Sequence, residues 1–135
     1  MNEPGKGLLE SMDHNPPATD QALSDAEAKL GMVFPAQYKE LMLTSNGAEG
    51  MIGESSYLAI WTIEEVIELN IDLNMAKYTP GLVYFASDGG AMAYAYDTRN
   101  DKRIVVIPYQ TIDIEEAEPC GETFEEFLET LYNME

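Results

Sequence analysis

Apolar residues along the chain alternate between two spacings, and the switches between them mark out the elements. The first helical stripe is Ala22, Leu23, Ala26 and Leu30, opening near Thr19 or Asp20 and ending at Gly31. Gly31 lacks a Cβ and so accepts the left-handed backbone of a C-terminal cap. Pro35 suits the first turn of a second helix, because its fixed φ fits and its missing N–H is no loss there. From it Tyr38, Leu41, Met42 and Ser45 fall on one face, and Asn46-Gly47 closes the element. Leu30, Val33 and Phe34 form an apolar link that clamps the two helices together.

After Gly50 the period shortens. Tyr57 to Trp61 is β-prone, and Thr62 with Glu65 three residues on is a capping box at the start of a third helix. Ile63, Val66, Ile67 and Asn70 line that helix on one side, and Glu64, Glu65, Glu68 and Asp72 colour the other. Tyr78 to Gly81 reads as a turn, Leu82 to Ala86 as a buried strand, and Ser87 to Gly90 as a hairpin connection. Met92, Tyr94 and Tyr96 then alternate with Ala91, Ala93 and Ala95, whose small side chains leave room for close packing, most simply by a helix. Asp97 to Lys102 is a polar turn into the strand Arg103 to Pro108, and Tyr109 to Glu116 alternates weakly, as an edge segment would. A second capping box, Thr123 with Glu126, opens a last helix striped by Phe124, Phe127, Leu128 and Leu131. Three successive strands argue for an antiparallel sheet. The pattern describes one α+β domain over residues 18–135. An arm rich in Pro and Gly precedes it over residues 1–17, expected to be poorly ordered.

Composition changes this picture in one respect, which is charge. Seven basic residues stand against 25 acidic ones, a net charge of −18. Nucleic acid and anionic membrane surfaces would be repelled, so neither is expected as a direct partner, whereas a basic protein would be drawn in. The bias is strongest after Arg103, where no Lys or Arg follows and Asp113, Glu115, Glu116 and Glu118 begin a wholly neutral or acidic run. No apolar run reaches the roughly 20 residues needed to span a bilayer. The N-terminus has no basic start leading into an apolar block, so no secretory signal is expected. A single cysteine, Cys120, allows no internal disulfide and fits a reducing compartment. These features point to the cytoplasm.

Candidate chemistry is thin. His14, the one histidine, lies in the arm, where a general base would lack fixed geometry. Cys120 has no histidine partner placed to activate it, so an inert thiol is expected. Without a Cys/His cluster there is no ordinary zinc site. Asp97 to Asp101 imitates a calcium loop but puts Arg99 where an oxygen ligand is required. Asp88-Gly89-Gly90 is a turn, with no phosphate-loop lysine after it. Acid pairs arise by chance among 25 acids, and a glycosidase would need two in one defined cleft. No enzyme, metal or cofactor is expected.

The order and spacing of five pieces resemble the SUKH superfamily, which includes bacterial immunity proteins and a fungal regulator of cell-wall synthesis. They are Leu30-Gly31…Phe34-Pro35…Tyr38-Lys39…Asn46-Gly47, Trp61 to Glu65, Phe85 to Gly90, Tyr94 to Asp97, and Phe124 to Leu128. Ala91 departs from the pattern, standing where a third glycine is common. The resemblance covers about residues 18–132 and implies an α+β fold, with about four helices on a largely antiparallel sheet. It also implies a non-catalytic protein that neutralises a cognate toxin, often a nuclease or deaminase. A regulatory or scaffold module in cell-envelope assembly is the alternative, and an acid-pair hydrolase a more distant one. The residues expected to touch a basic toxin are Glu64, Glu65 and Glu68 on the third helix, Asp88 in the turn, and Asp113, Glu115, Glu116 and Glu118 in the late acidic run.

Overall fold

The computed structural model describes residues 13–52, 56–72, 79, 81–99, 103–108, 115 and 117–133. The chain order is β1 (Asp13–His14), α1 (Asp20–Leu30), α2 (Ala36–Thr44), β2 (Ala48–Ile52), β3 (Ser56–Ile60), α3 (Ile63–Ile67), a π-helical turn (Glu68–Asp72), β4 (Leu82–Ser87), β5 (Met92–Asp97), β6 (Arg103–Pro108), β7 (Glu118–Gly121) and α4 (Phe124–Asn133). All seven strands form one sheet in sequence order, each antiparallel to its neighbour. The fold is therefore a single α+β domain with four α-helices on an antiparallel sheet.

The two helix ends read from Gly31 and Pro35 form as the residues dictate. Gly31 takes φ +72° and closes α1 through its N–H to the Glu27 carbonyl, while Thr19 caps the other end by accepting from the Ala22 N–H. Glu27 then ties the connection down: its carboxylate accepts from the Phe34 N–H at 2.8 Å and lies 3.5 Å from the Lys39 ammonium. Phe34, Tyr38, Leu41 and Met42 are all buried. Tyr38 is the hub of an aromatic core, with its ring centroid 4.9 Å from Phe34, 5.8 Å from both Phe85 and Tyr96, and 6.3 Å from Phe124. Phe127 of α4 meets Tyr94 at 4.9 Å. These ring contacts place α2 and α4 over the tyrosine face of β5. Ala93 and Ala95, on the opposite face with Val105 and Ile107, are buried as well.

Three elements depart from the sequence pattern. β2 was hidden by its small residues, Ala48 and Gly50. The Tyr109–Glu116 edge segment lies outside the described residues apart from Glu115, and the observed edge strand is Glu118–Gly121, which tolerates Pro119 because an edge need not donate on both sides. The third departure is the π-helical turn, whose Asn70 completes the sheet. β3 pairs with β4 only at Ala59–Ser87 and Ile60–Ala86, followed by Trp61 N–H to the Phe85 carbonyl. Beyond that point the Asn70 amide replaces the missing strand: it accepts from the Tyr84 N–H and donates to the Tyr84 carbonyl, both at 2.8 Å. Its amide N–H also reaches the Val66 carbonyl at 2.7 Å, fixing it to the preceding helix.

The expected arm over 1–17 falls mostly on residues outside the described set. Asp13 and His14 pair with Glu49 and Ala48 at the edge of the sheet. Asn15 continues from there, its backbone N–H donating to the Ser45 hydroxyl and its side chain to the Asn46 carbonyl.

Candidate binding cleft

A cleft of about 620 Å³ opens where β2, β3, the first turn of α3 and the β4–β5 turn come together. Asn46-Gly47, which ends the α2 segment, builds one of its supports. The Asn46 side chain accepts from the Ile63 N–H, capping α3, and donates to the Glu64 carboxylate, both at 2.8 Å. Gly47 takes φ +87° with a Cβ position only 2.5 Å from the Ile60 carbonyl oxygen, so no side chain fits between the turn and β3. Helix α3 starts with the capping box read from sequence: Thr62 Oγ1 accepts from the Glu65 N–H, and Glu65 Oε1 from the Thr62 N–H.

Register places the other walls. Glu49 pairs with Ala59 and Met51 with Tyr57, so these four side chains share one face of the β2–β3 hairpin, while Ala48, Leu58 and Ile60 point into the core. The Tyr57 hydroxyl donates to Glu49 Oε2 at 3.1 Å. Its ring rests on Gly89, where an added Cβ would lie 2.7 Å from Tyr57 Cδ1 and where φ is +81°. This is the physical demand behind Asp88-Gly89: a left-handed turn residue with an aromatic ring against it. Asp88 holds the turn closed, its Oδ1 accepting from the Gly90 and Met92 N–H groups at 2.8 and 3.2 Å. Trp61 is nearly buried and lines the cleft between Ile60 and Glu65.

Of the eight acidic residues singled out from sequence, Glu65 and Asp88 line this cleft. Glu64 and Glu68 are exposed on the same helical segment. Glu118 lies on β7, four strands from β3, roughly 19 Å away at about 4.8 Å per strand. Glu115 is exposed shortly before it. Asp113 and Glu116 are outside the described residues. Glu49, Tyr57 and Trp61 also line the cleft and were not among the residues singled out as a site from sequence. The Tyr57-Leu58-Ala59-Ile60-Trp61 alternation did hold a signal, since it puts Tyr57, Ala59 and Trp61 on a common face.

The cleft is thus walled by aromatic carbon and by the carboxylates of Glu49, Glu65 and Asp88, with no Lys or Arg among its described lining residues. Among the described residues no three His, Cys, Asp or Glu side chains converge to hold a metal ion. No described helix is long and apolar enough to cross a membrane. Chemically the arrangement suits contact with a cation.

Comparison with known proteins agrees with the architecture. The uncharacterised protein YnaB of Bacillus subtilis strain 168 is 30% identical over 120 residues, covering 87% of this chain and 78% of that relative. The family model described as SMI1 / KNR4 family (SUKH-1) matches residues 17–130, a span that takes in the Gly31–Pro35 brace, Asn46-Gly47, the Thr62 capping box and α4 as far as Thr130. The chain belongs to the SMI1 / KNR4 (SUKH-1) family.

Proposed function

We propose that this chain is a non-catalytic immunity protein that neutralises a cognate, basic, nucleic-acid-directed bacterial toxin by binding it directly through an acidic surface. The observation that carries this reading is the gathering of Glu65 and Asp88, distant in sequence, around one concavity, with Glu49 added by β2 and with Glu64 and Glu68 beside them. A net charge of −18 supports it, because it steers a basic partner toward contact and raises the association rate. Binding is favoured over acid–base catalysis because each cleft carboxylate already has an oxygen engaged by the Thr62 N–H, the Tyr57 hydroxyl or the Asp88 turn. These engagements make the acids rigid parts of a surface.

Co-expression with a toxin encoded by a neighbouring gene tests the proposal. Restored growth and co-purification of the two proteins are expected. A toxin that kills regardless of this chain and does not co-purify with it overturns the reading.

A further inference from the structure

No described element covers the outward face of the β2–β3 hairpin. Met51 is 47% and Tyr57 37% exposed, large apolar surfaces on a face that a lone soluble domain would ordinarily make polar. Ala59 continues the face toward the cleft, which the largely buried Trp61 also lines and where Glu49, Glu65 and Asp88 form the acidic rim. We propose that this face docks an arginine-bearing segment of a basic protein, with one guanidinium entering the cleft between the Tyr57 ring and the carboxylates of Glu49 and Glu65. The inference rests on the binding reading above and names the chemistry of the partner's anchor.

Three features select arginine. A guanidinium is planar, weakly hydrated and able to stack on an aromatic face while its fork donates to carboxylate oxygens; an ammonium offers only a point charge. Glu65 is pre-oriented by the Thr62 N–H and Glu49 by the Tyr57 hydroxyl, so little side-chain freedom is lost on binding. The cleft, at about 620 Å³, holds a long side chain together with the backbone that bears it. Phosphate or carboxylate ligands meet three carboxylates here, and an apolar helix would strand them.

Trp61 is the one tryptophan in the chain, so its fluorescence reports on the site. The full chain is titrated with acetyl-Ala-Arg-Ala-amide and with the lysine and citrulline counterparts, the last neutral but nearly isosteric. A saturable change in Trp61 emission with the arginine peptide is expected, several-fold weaker binding with lysine, and none with citrulline. The double variant E49Q/E65Q weakens arginine binding by about tenfold or more, the scale of losing charge assistance from the site's carboxylates, while E122Q/E126Q, at two exposed acids beyond β7, leaves it unchanged. Glutamine can still serve the Thr62 capping box and accept from Tyr57, so the fold is retained. Equal binding of citrulline or lysine, or full binding by E49Q/E65Q, overturns the proposal. Rescue of growth by E49Q/E65Q as complete as by the unaltered chain overturns this docking face but leaves the immunity reading standing.

Discussion

Tyr38 and Tyr96 are fully buried with ring centroids 5.8 Å apart, and neither hydroxyl has a hydrogen-bond partner among the described residues. The rings stabilise the core and the hydroxyls oppose it, because a buried donor without a partner forfeits its hydration. The two contributions separate by mutation. Tyr38→Phe keeps the ring and is expected to raise stability by about 1 kcal/mol, read as a higher urea midpoint at unchanged m-value. Tyr38→Ala should lower stability by about 3–5 kcal/mol through the cavity it leaves among Phe34, Phe85 and Phe124. The same burial sets a pH dependence. Burial pushes the Tyr38 and Tyr94 hydroxyls above their ordinary 10.0, and burial with the neighbouring Tyr38 does the same for Tyr96. A group that is harder to ionise folded than unfolded gives stability that is complete below its unfolded pKa and is lost above it. Unfolding should therefore steepen above pH 10, and Tyr38→Phe should flatten that limb. Cys120, half-buried on β7, follows the same sign at lower pH, since burial raises its thiol from 9.0 to about 11. Stability is expected to fall between pH 9 and about 11, less so in Cys120→Ala. Labelling of the thiol at about pH 8, below its folded pKa, should be slow compared with an unfolded control.

Among the elements, the junction of β3, α3 and β4 depends most on single side chains. Asn70 satisfies both backbone groups of Tyr84 from a π-helical turn, at a buried position where water cannot substitute. Asn70→Leu fills the space but leaves the Tyr84 N–H and carbonyl unpaired, so a loss of about 2–4 kcal/mol is expected, with faster hydrogen exchange at the Tyr84 amide. Gly47→Ala should cost a comparable ~2 kcal/mol or more, from the positive φ and the carbonyl 2.5 Å from the new methyl. The positive φ of Gly47 was legible in the Asn46-Gly47 pair, but the carbonyl packed against it and the role of Asn70 were not. Asn70 matched the helical stripe by spacing alone, and spacing is blind to whether a buried position needs an apolar or a hydrogen-bonding side chain. What was legible had a local cause: the Gly31 cap, the Thr62–Glu65 box, the Phe124–Leu131 stripe and the Asp88 turn each follow from residues close together in the chain. β2 and β7 were missed because Ala48, Gly50 and Pro119 carry little strand signal of their own, and partners on β3 and β6 hold them in the sheet. The cleft was half legible for the same reason. Glu65 and Asp88 stood out by charge, but only register brings Glu49 and Tyr57 to them.

Across the whole molecule the −18 charge acts on folding and on association with opposite salt dependence. Three of the seven basic residues are drawn to two carboxylates: Lys39 to Glu27, and Arg99 and Arg103 to the buried Asp97, with Arg99 at 2.9 Å. Seven bases can neutralise only a minority of the 25 acids, so like-charge repulsion dominates the long-range field. Salt shortens the screening length from about 10 Å at 0.1 M to about 3 Å at 1 M, weakening this repulsion, while the pairs to Asp97, whose carboxylate is buried although Arg99 and Arg103 are partly exposed, are screened less. The partly exposed Lys39–Glu27 pair is worth less than about 1 kcal/mol, so losing it does not reverse the balance. Melting temperature should therefore rise with sodium chloride, by about 4 °C or more per 1 kcal/mol of repulsion relieved; a fall would mean that attractive pairs dominate the surface. For association with a basic partner the slope inverts, since the same screening removes the attraction that speeds encounter. Two neutralising pairs then separate long-range steering from contact. E49Q/E65Q and E118Q/E122Q change net charge equally, so both should slow association to a similar degree in stopped-flow mixing. Only the cleft pair should also speed dissociation, because short-range contacts govern that rate. If the far-edge pair speeds dissociation instead, the partner binds along β7.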